Sequence, residues 1–197
     1  MPKKLSIKGT AQWFSGNADS VVAYLGELCD ARISDEHLSW CHDYAVIRLY
    51  RDFEGLMLWT LVGSINNDTS TISQKSGFDF PKHLTDEVCF YLVTGPGYFD
   101  FRGRSGLIGT FKKYLPDDHY LIEIIKKKKY KEHIDRLCAL RNYAAHESPQ
   151  SKRAALTATG QQRMGSAGSW LKRQGRFSDL ATKLQALAEE IKNEAPY

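Results

Sequence analysis

No segment of this 197-residue chain approaches the roughly 20 consecutive apolar residues that a membrane-spanning helix needs. The basic start, Met1-Pro2-Lys3-Lys4, is not followed by an apolar run of signal-peptide length either. The chain therefore reads as soluble and cytoplasmic, with no membrane partner. Cysteine is scarce: four residues, at positions 29, 41, 89 and 138, with no Cys-x-x-Cys pair. That spacing supports neither a disulfide framework nor a zinc finger, and the four are expected as buried thiols in a reducing compartment. Cys41 and His42 are adjacent, a spacing from which two side chains rarely reach one metal, and read as a core cysteine beside a surface histidine. Among the six histidines no pair has the i,i+4 spacing, with an accompanying glutamate, of a helical zinc site. No metal and no cofactor is implied.

What the chain does have is apolar material and an uneven distribution of charge. With 42% hydrophobic and 12% aromatic residues it can build a core as one domain over residues 1–197, and no internal repeat divides it. The formal charge of +4 conceals an asymmetry. Residues 1–100 carry 8 Lys and Arg against 13 Asp and Glu, residues 101–176 carry 17 against 6, and residues 177–197 carry 2 against 4. A basic segment of that kind suits RNA, because neutralising phosphates and releasing counterions supplies most non-specific affinity. Candidate RNA contacts are Arg102, Arg104, Lys126, Lys127, Lys128, Lys129, Lys152 and Arg153. For the run Lys126 to Lys129 the competing account is a helix face kept solvated by its lysines.

The apolar spacing is helical along most of the chain. After a short leader with Trp13 and Phe14, Asn17 or Asp19 can cap a first helix through Leu28, and Ser34 starts a second. From Leu38 to Val62 no proline intervenes, which predicts a helix of about thirty residues. Trp40, Tyr44, Tyr50, Phe53 and Trp59 on it are expected as core or dimer contacts, and Arg48 with Asp52 as an i,i+4 surface pair. Glu54 lies within an apolar stretch and either orients a site residue from behind or is simply exposed. Residues 67–81 read as a loop, and Thr85 caps a short helix. The segment Gly95 to Gly106 reads as irregular; it lacks the spacing and the Lys-Ser/Thr of a phosphate-binding P-loop, so Arg102 and Arg104 mark it as an RNA-touching or bundle-capping loop. Leu107 to Tyr114 is helical, and Asp117 or Asp118 caps a single helix running from Leu121 through Leu140, with His133 solvent-exposed on it. A short helix near Ala154 to Ala158, a mobile basic connector and a final amphipathic helix through Ile191 complete the chain.

The long helix before the connector ends in Leu140-Arg141-Asn142-Tyr143-Ala144-Ala145-His146-Glu147-Ser148. Arginine supplies a planar cationic fork that fits phosphate oxygens, and histidine a side chain that exchanges protons near neutral pH. On a regular helix Asn142 and His146 share a face, whereas Arg141 and His146 point about 140° apart. Two arrangements reunite them: the helix ends near Ala145 and His146 turns back, or a second copy packs against the first with the site at the seam. Residues of these types at a helix C-terminus also serve as a plain helix stop.

Arg141, followed by polar Asn142 and separated from His146 by four residues at the end of an amphipathic helix, resembles the HEPN superfamily signature. The Ala-Ala-His-Glu-Ser ending and Gly168-Ser169-Trp170-Leu171-Lys172 loosely resemble its RiboL-PSP-type branch. The resemblance implies an all-α fold: a four-helix bundle with extra short helices and a basic loop before the last helix. It also implies a homodimer with a metal-independent endoribonuclease site at Arg141, Asn142 and His146, Glu54 as supporting residue, a toxin or antiviral role, and a regulatory or antitoxin partner. HEPN toxins paired with a nucleotidyltransferase antitoxin often carry tyrosine two residues after the histidine; Ser148 stands there, so modification of that tyrosine is not a route of control. The alternative is a HEPN-like dimer that binds RNA, a nucleotide or a protein without cleaving.

Overall fold

The computed structural model describes residues 6–196, so the basic start at residues 1–4 falls outside it. Helix begins at once. Ser6 accepts a hydrogen bond on Oγ from Gly9 N at 3.0 Å and caps α1 (Ile7–Asp30). Ile7, Ala11, Phe14, Ala18 and Leu25 are buried along one face of it. The expected cap at Asn17 or Asp19 is therefore eleven or thirteen residues late, and Trp13 and Phe14 belong to the helix. Ser34 caps α2 (Asp35–Asn67), with Oγ accepting from His37 N at 3.1 Å. At 33 residues α2 spans about 50 Å and is the wall against which most other helices pack.

The segment expected as a loop contains α3 (Ser70–Ser76), stopped by left-handed Gly77, and Thr85 caps α4 (Asp86–Thr94) as expected. The chain then forms α5 (Gly103–Tyr114), α6 (Tyr120–Lys126), α7 (Lys128–His146), α8 (Pro149–Thr159), α9 (Ala167–Leu171) and α10 (Arg176–Glu194). The described residues are all-α with no strand. Four long helices, α1, α2, α7 and α10, pack side by side as a bundle, with the shorter ones across its ends and edges.

The single helix expected over 121–140 is two. At 100° per residue, an unbroken helix would point Leu121, Ile124 and Ile125 roughly 180° away from Tyr130, Ile134 and Leu137. All six side chains are buried, so the chain must reset its phase, and it does so at extended Lys127. The guanidinium of Arg104 serves the break by donating from Nε to the carbonyl of Ile125 at 2.6 Å and from Nη2 to that of Lys126. The cap of α6 is His119 rather than Asp117 or Asp118.

Lys127 and Lys129 then reach back to Glu190 of α10. Burial pushes the Glu190 carboxyl up, but the two ammonium groups outweigh it and hold the group at about 2, against an ordinary value of 4.5. A depressed carboxylate contributes stability above its ordinary range and loses it as pH falls towards the folded value. Glu190→Gln is expected to cost about 1 kcal/mol at neutral pH, allowing for solvent screening of the lysines. It should also flatten the loss of melting temperature between pH 4.5 and pH 2 relative to the parent, as thermal melts across that range would show.

The basic connector is not structureless. Ser166 caps α9 in a reciprocal box with Ser169, and Gly168 N donates to Asp43 Oδ1 of α2 at 2.6 Å. Lys172, almost wholly buried, donates to the Asp35 carbonyl and to Ser39 Oγ, each at 2.8 Å, and pairs with the Asp35 carboxylate at 2.6 Å. Gly168 is required for this seat, because a Cβ there would stand 1.9 Å from the Ser39 carbonyl oxygen.

Several smaller expectations change. Trp40 and Tyr44 are exposed, Trp59 is half-buried, and only Tyr50 and Phe53 of that set lie in the core. The Arg48–Asp52 pair at 2.8 Å is half-sunk, with Asp52 buried. His42 is buried, with Nδ1 2.8 Å from the Leu38 carbonyl, while Cys29 is exposed and Cys41 intermediate. His133 is largely covered, 3.6 Å from Asp179.

Candidate functional site

Helix α7 ends at His146, the last residue of the Arg-Asn…His segment. Glu147 adopts a left-handed conformation, φ 46°, and its N–H donates to the Tyr143 carbonyl at 3.0 Å, closing the helix. Ser148 then caps α8 in a reciprocal box with Ser151, with Pro149 at the first helical position. This tight turn folds α8 back against α7. Between them lies a cleft of about 850 Å³, walled also by the segment around Asp100 to Gly103 and floored by Tyr50 of α2.

Arg141, Asn142 and His146 all line this cleft, despite their angular spread on the helix, because its walls wrap the end of α7. Arg141 lies over the Tyr50 ring with Cζ 4.2 Å from the centroid, and Nη1 donates to Asn142 Oδ1 at 2.8 Å. The contact sets the guanidinium charge over the face of the ring. His146 is exposed at the mouth. Burial raises the half-buried Glu54 carboxyl above its usual range, as does Asp100, while the Arg141 charge pulls it down. Glu54 does not line the cleft and forms no ion pair with Arg141 among the described residues. Tyr50 is driven up by burial, then by Cys138 and Glu54, and stays a neutral phenol. Burial pushes the Cys138 thiol in the cleft wall up to about 12, which leaves it protonated and a poor nucleophile.

Glycine is again the only fit at the opposite wall. Gly103 has φ 62°, and a Cβ there would stand 2.7 Å from Asp135 Oδ1, which accepts from Arg104 N at 2.8 Å.

The candidate cations separate into those already engaged and those left open. Arg104 is spent on the α6 carbonyls, Lys126 pairs with Glu123 at 2.7 Å, and Lys127 and Lys129 hold Glu190. Arg102 is exposed on the cleft wall. Lys128 and Arg153 are exposed and Lys152 is half-buried; none makes an ion pair among the described residues. No cluster of three or more His, Cys, Asp or Glu placed to hold a metal occurs among the described residues. Tyr50 was missed as a site-forming residue. Tyr50 stands four residues before Glu54 on one face of α2, which is the signal that pairs them. Tyr143, between Arg141 and His146, donates its hydroxyl to the Gly165 carbonyl.

No family model matches the chain, and neither curated proteins nor solved structures provide a match. Among the described residues no helix is long and apolar enough to cross a membrane.

Proposed function

We propose that this protein is a HEPN-like endoribonuclease that cleaves RNA without a metal, as a cytoplasmic homodimer. The observation that carries the proposal is the meeting of Arg141, Asn142 and His146 in one cleft with Arg102 on its wall. RNA brings its own nucleophile. The 2′-oxygen attacks phosphorus, the P–O2′ bond forms and the P–O5′ bond breaks, leaving a 2′,3′-cyclic phosphate and a free 5′-hydroxyl. His146 takes the proton from the 2′-hydroxyl or delivers one to the leaving 5′-oxygen. The Arg141 fork, over the Tyr50 ring, stabilises the non-bridging oxygens of the crowded phosphorane, and Asn142 orients Arg141 or the phosphate. In a two-fold dimer acid and base are available together. Toxin or antiviral defence, with a restraining antitoxin or regulator, is the setting such an activity implies.

The test is incubation of purified protein and its His146→Ala variant with labelled RNA in EDTA, followed by analysis of product ends. Cutting by the parent alone, with cyclic phosphate ends and none on 2′-deoxy substrate, is the expected result. A requirement for divalent metal overturns the proposal. A second reading, an RNA- or nucleotide-binding dimer that does not cleave, draws on the engagement of Arg141 by Asn142 and Tyr50 and on the carboxylates Glu54 and Asp100 nearby. It is favoured if neither protein cuts while both bind.

A further inference from the structure

A second, open pocket of about 500 Å³ is lined by Lys152, Gln162, Arg163, Met164 and Gly165. No acid lines it. Of the seventeen Lys and Arg in residues 101–176, Lys112, Lys126, Lys127, Lys129, Arg136 and Lys172 are set against a carboxylate. Lys152 and Arg163 differ: neither is in an ion pair among the described residues. Two like charges lining one pocket repel, and an anion between them would relieve that repulsion.

The loop that carries Arg163 is fixed from both sides. Left-handed Gly160 closes α8 before it, Met164 is buried beneath it, and Gly165 is held by the Tyr143 hydroxyl from within the Arg-Asn…His segment. The pocket is thus tied to the motif helix. Lys152 stands one helical turn beyond Ser148, which lines the cleft, about 6 Å along the α8 axis.

We propose that the Lys152–Arg163 pocket is a phosphoryl-binding subsite, which takes a backbone phosphate of the RNA strand lying in the cleft. It rests on the ribonuclease proposal for its substrate, and the same chemistry would also accept the phosphates of a free nucleotide. Two cations and the side-chain amide of Gln162 around an acid-free pocket suit a dianion or a diester, the lysine as a point charge and the arginine as a fork.

The test is fluorescence anisotropy with a labelled, uncleavable 2′-O-methyl RNA decamer over a series of salt concentrations. It compares the full-length parent, Lys152→Ala/Arg163→Ala, and Lys113→Ala/Lys183→Ala, which removes the same charge at exposed positions elsewhere. The subsite variant should bind the decamer about tenfold more weakly, with the salt slope reduced by about 0.7 for one lost single-strand phosphate contact. The control pair should bind as the parent does. Displacement by ATP separates the sources: ATP binding lost in the subsite variant, with decamer binding unchanged, assigns the pocket to a free nucleotide. Decamer and ATP binding both unaltered in that variant, or a parent that binds neither, overturns the subsite. Failure of the ribonuclease proposal shows separately, as absence of cutting by the parent.

Discussion

Alanine in place of Gly168 is expected to lower the melting temperature by roughly 6–12 °C. The added Cβ would lie 1.9 Å from the Ser39 carbonyl oxygen and 2.8 Å from Asp43 N, both backbone atoms of the long helix α2. Neither can swing aside as a side chain would, so α9 must lift. Lifting breaks the 2.6 Å bond from Gly168 N to Asp43, pulls Lys172 away from Asp35 and Ser39, and exposes the buried Ala167 and Leu171. An overpacked contact of this kind costs about 3 kcal/mol, and in a chain of this length each kcal/mol moves the melting temperature by about 2–4 °C. Gly109→Ala is the matched control: it sits within α5 with nothing within 4 Å of the added atom, and should melt at or slightly above the parent temperature. Equal melting of the Gly168 variant and the parent would show that α9 does not sit where the structure puts it.

His146→Ala is expected to slow RNA cleavage by about 10²–10⁴-fold, the range for a lost general acid or base. Because His146 is exposed at the end of α7, the same variant should melt within about a degree of the parent, which separates chemistry from folding. Arg141→Lys discriminates further. Lysine keeps the charge but loses the planar fork that stacks on Tyr50 and bonds Asn142, so a fall of about a hundredfold in initial rate is expected from geometry alone. Initial rates on labelled RNA in EDTA measure both. A His146→Ala protein that cuts as fast as the parent would remove this residue from the chemistry.

The helical character of the chain was legible because buried positions recur with a helical period, as along α2, where Leu49, Phe53, Leu56 and Ser34 as cap mark wall and start. Errors fell where local signals conflict. Asn17 and Asp19 suggested a cap and hence a leader before them, but the packing of Ile7, Ala11 and Phe14 carries the helix back to Ser6. The break at Lys127 was hidden because apolar residues on opposite sides of a helix look like one stripe unless their angles are tracked. At the site, Arg141, Asn142 and His146 stood out by residue type and spacing. Tyr50, the platform beneath Arg141, is ninety-one positions earlier and reads as core until the fold brings it near. Which lysines are free is likewise invisible in sequence, since Glu190 lies sixty-three residues from Lys127.

The junction at Lys127 leaves α7 starting badly. Lys127 provides no side-chain cap, and Lys128, Lys129 and Lys131 crowd the end where the helix dipole is already positive. The first turn is held in part by acids borrowed from α10, Glu190 and Glu194. Fraying should therefore begin there rather than at the other end of α7, where Glu147 closes the helix beside the cleft. In native-state hydrogen exchange the amides of residues 128–131 should open first among those of α7, and faster as salt weakens the borrowed pairs, while those near Tyr143 stay protected.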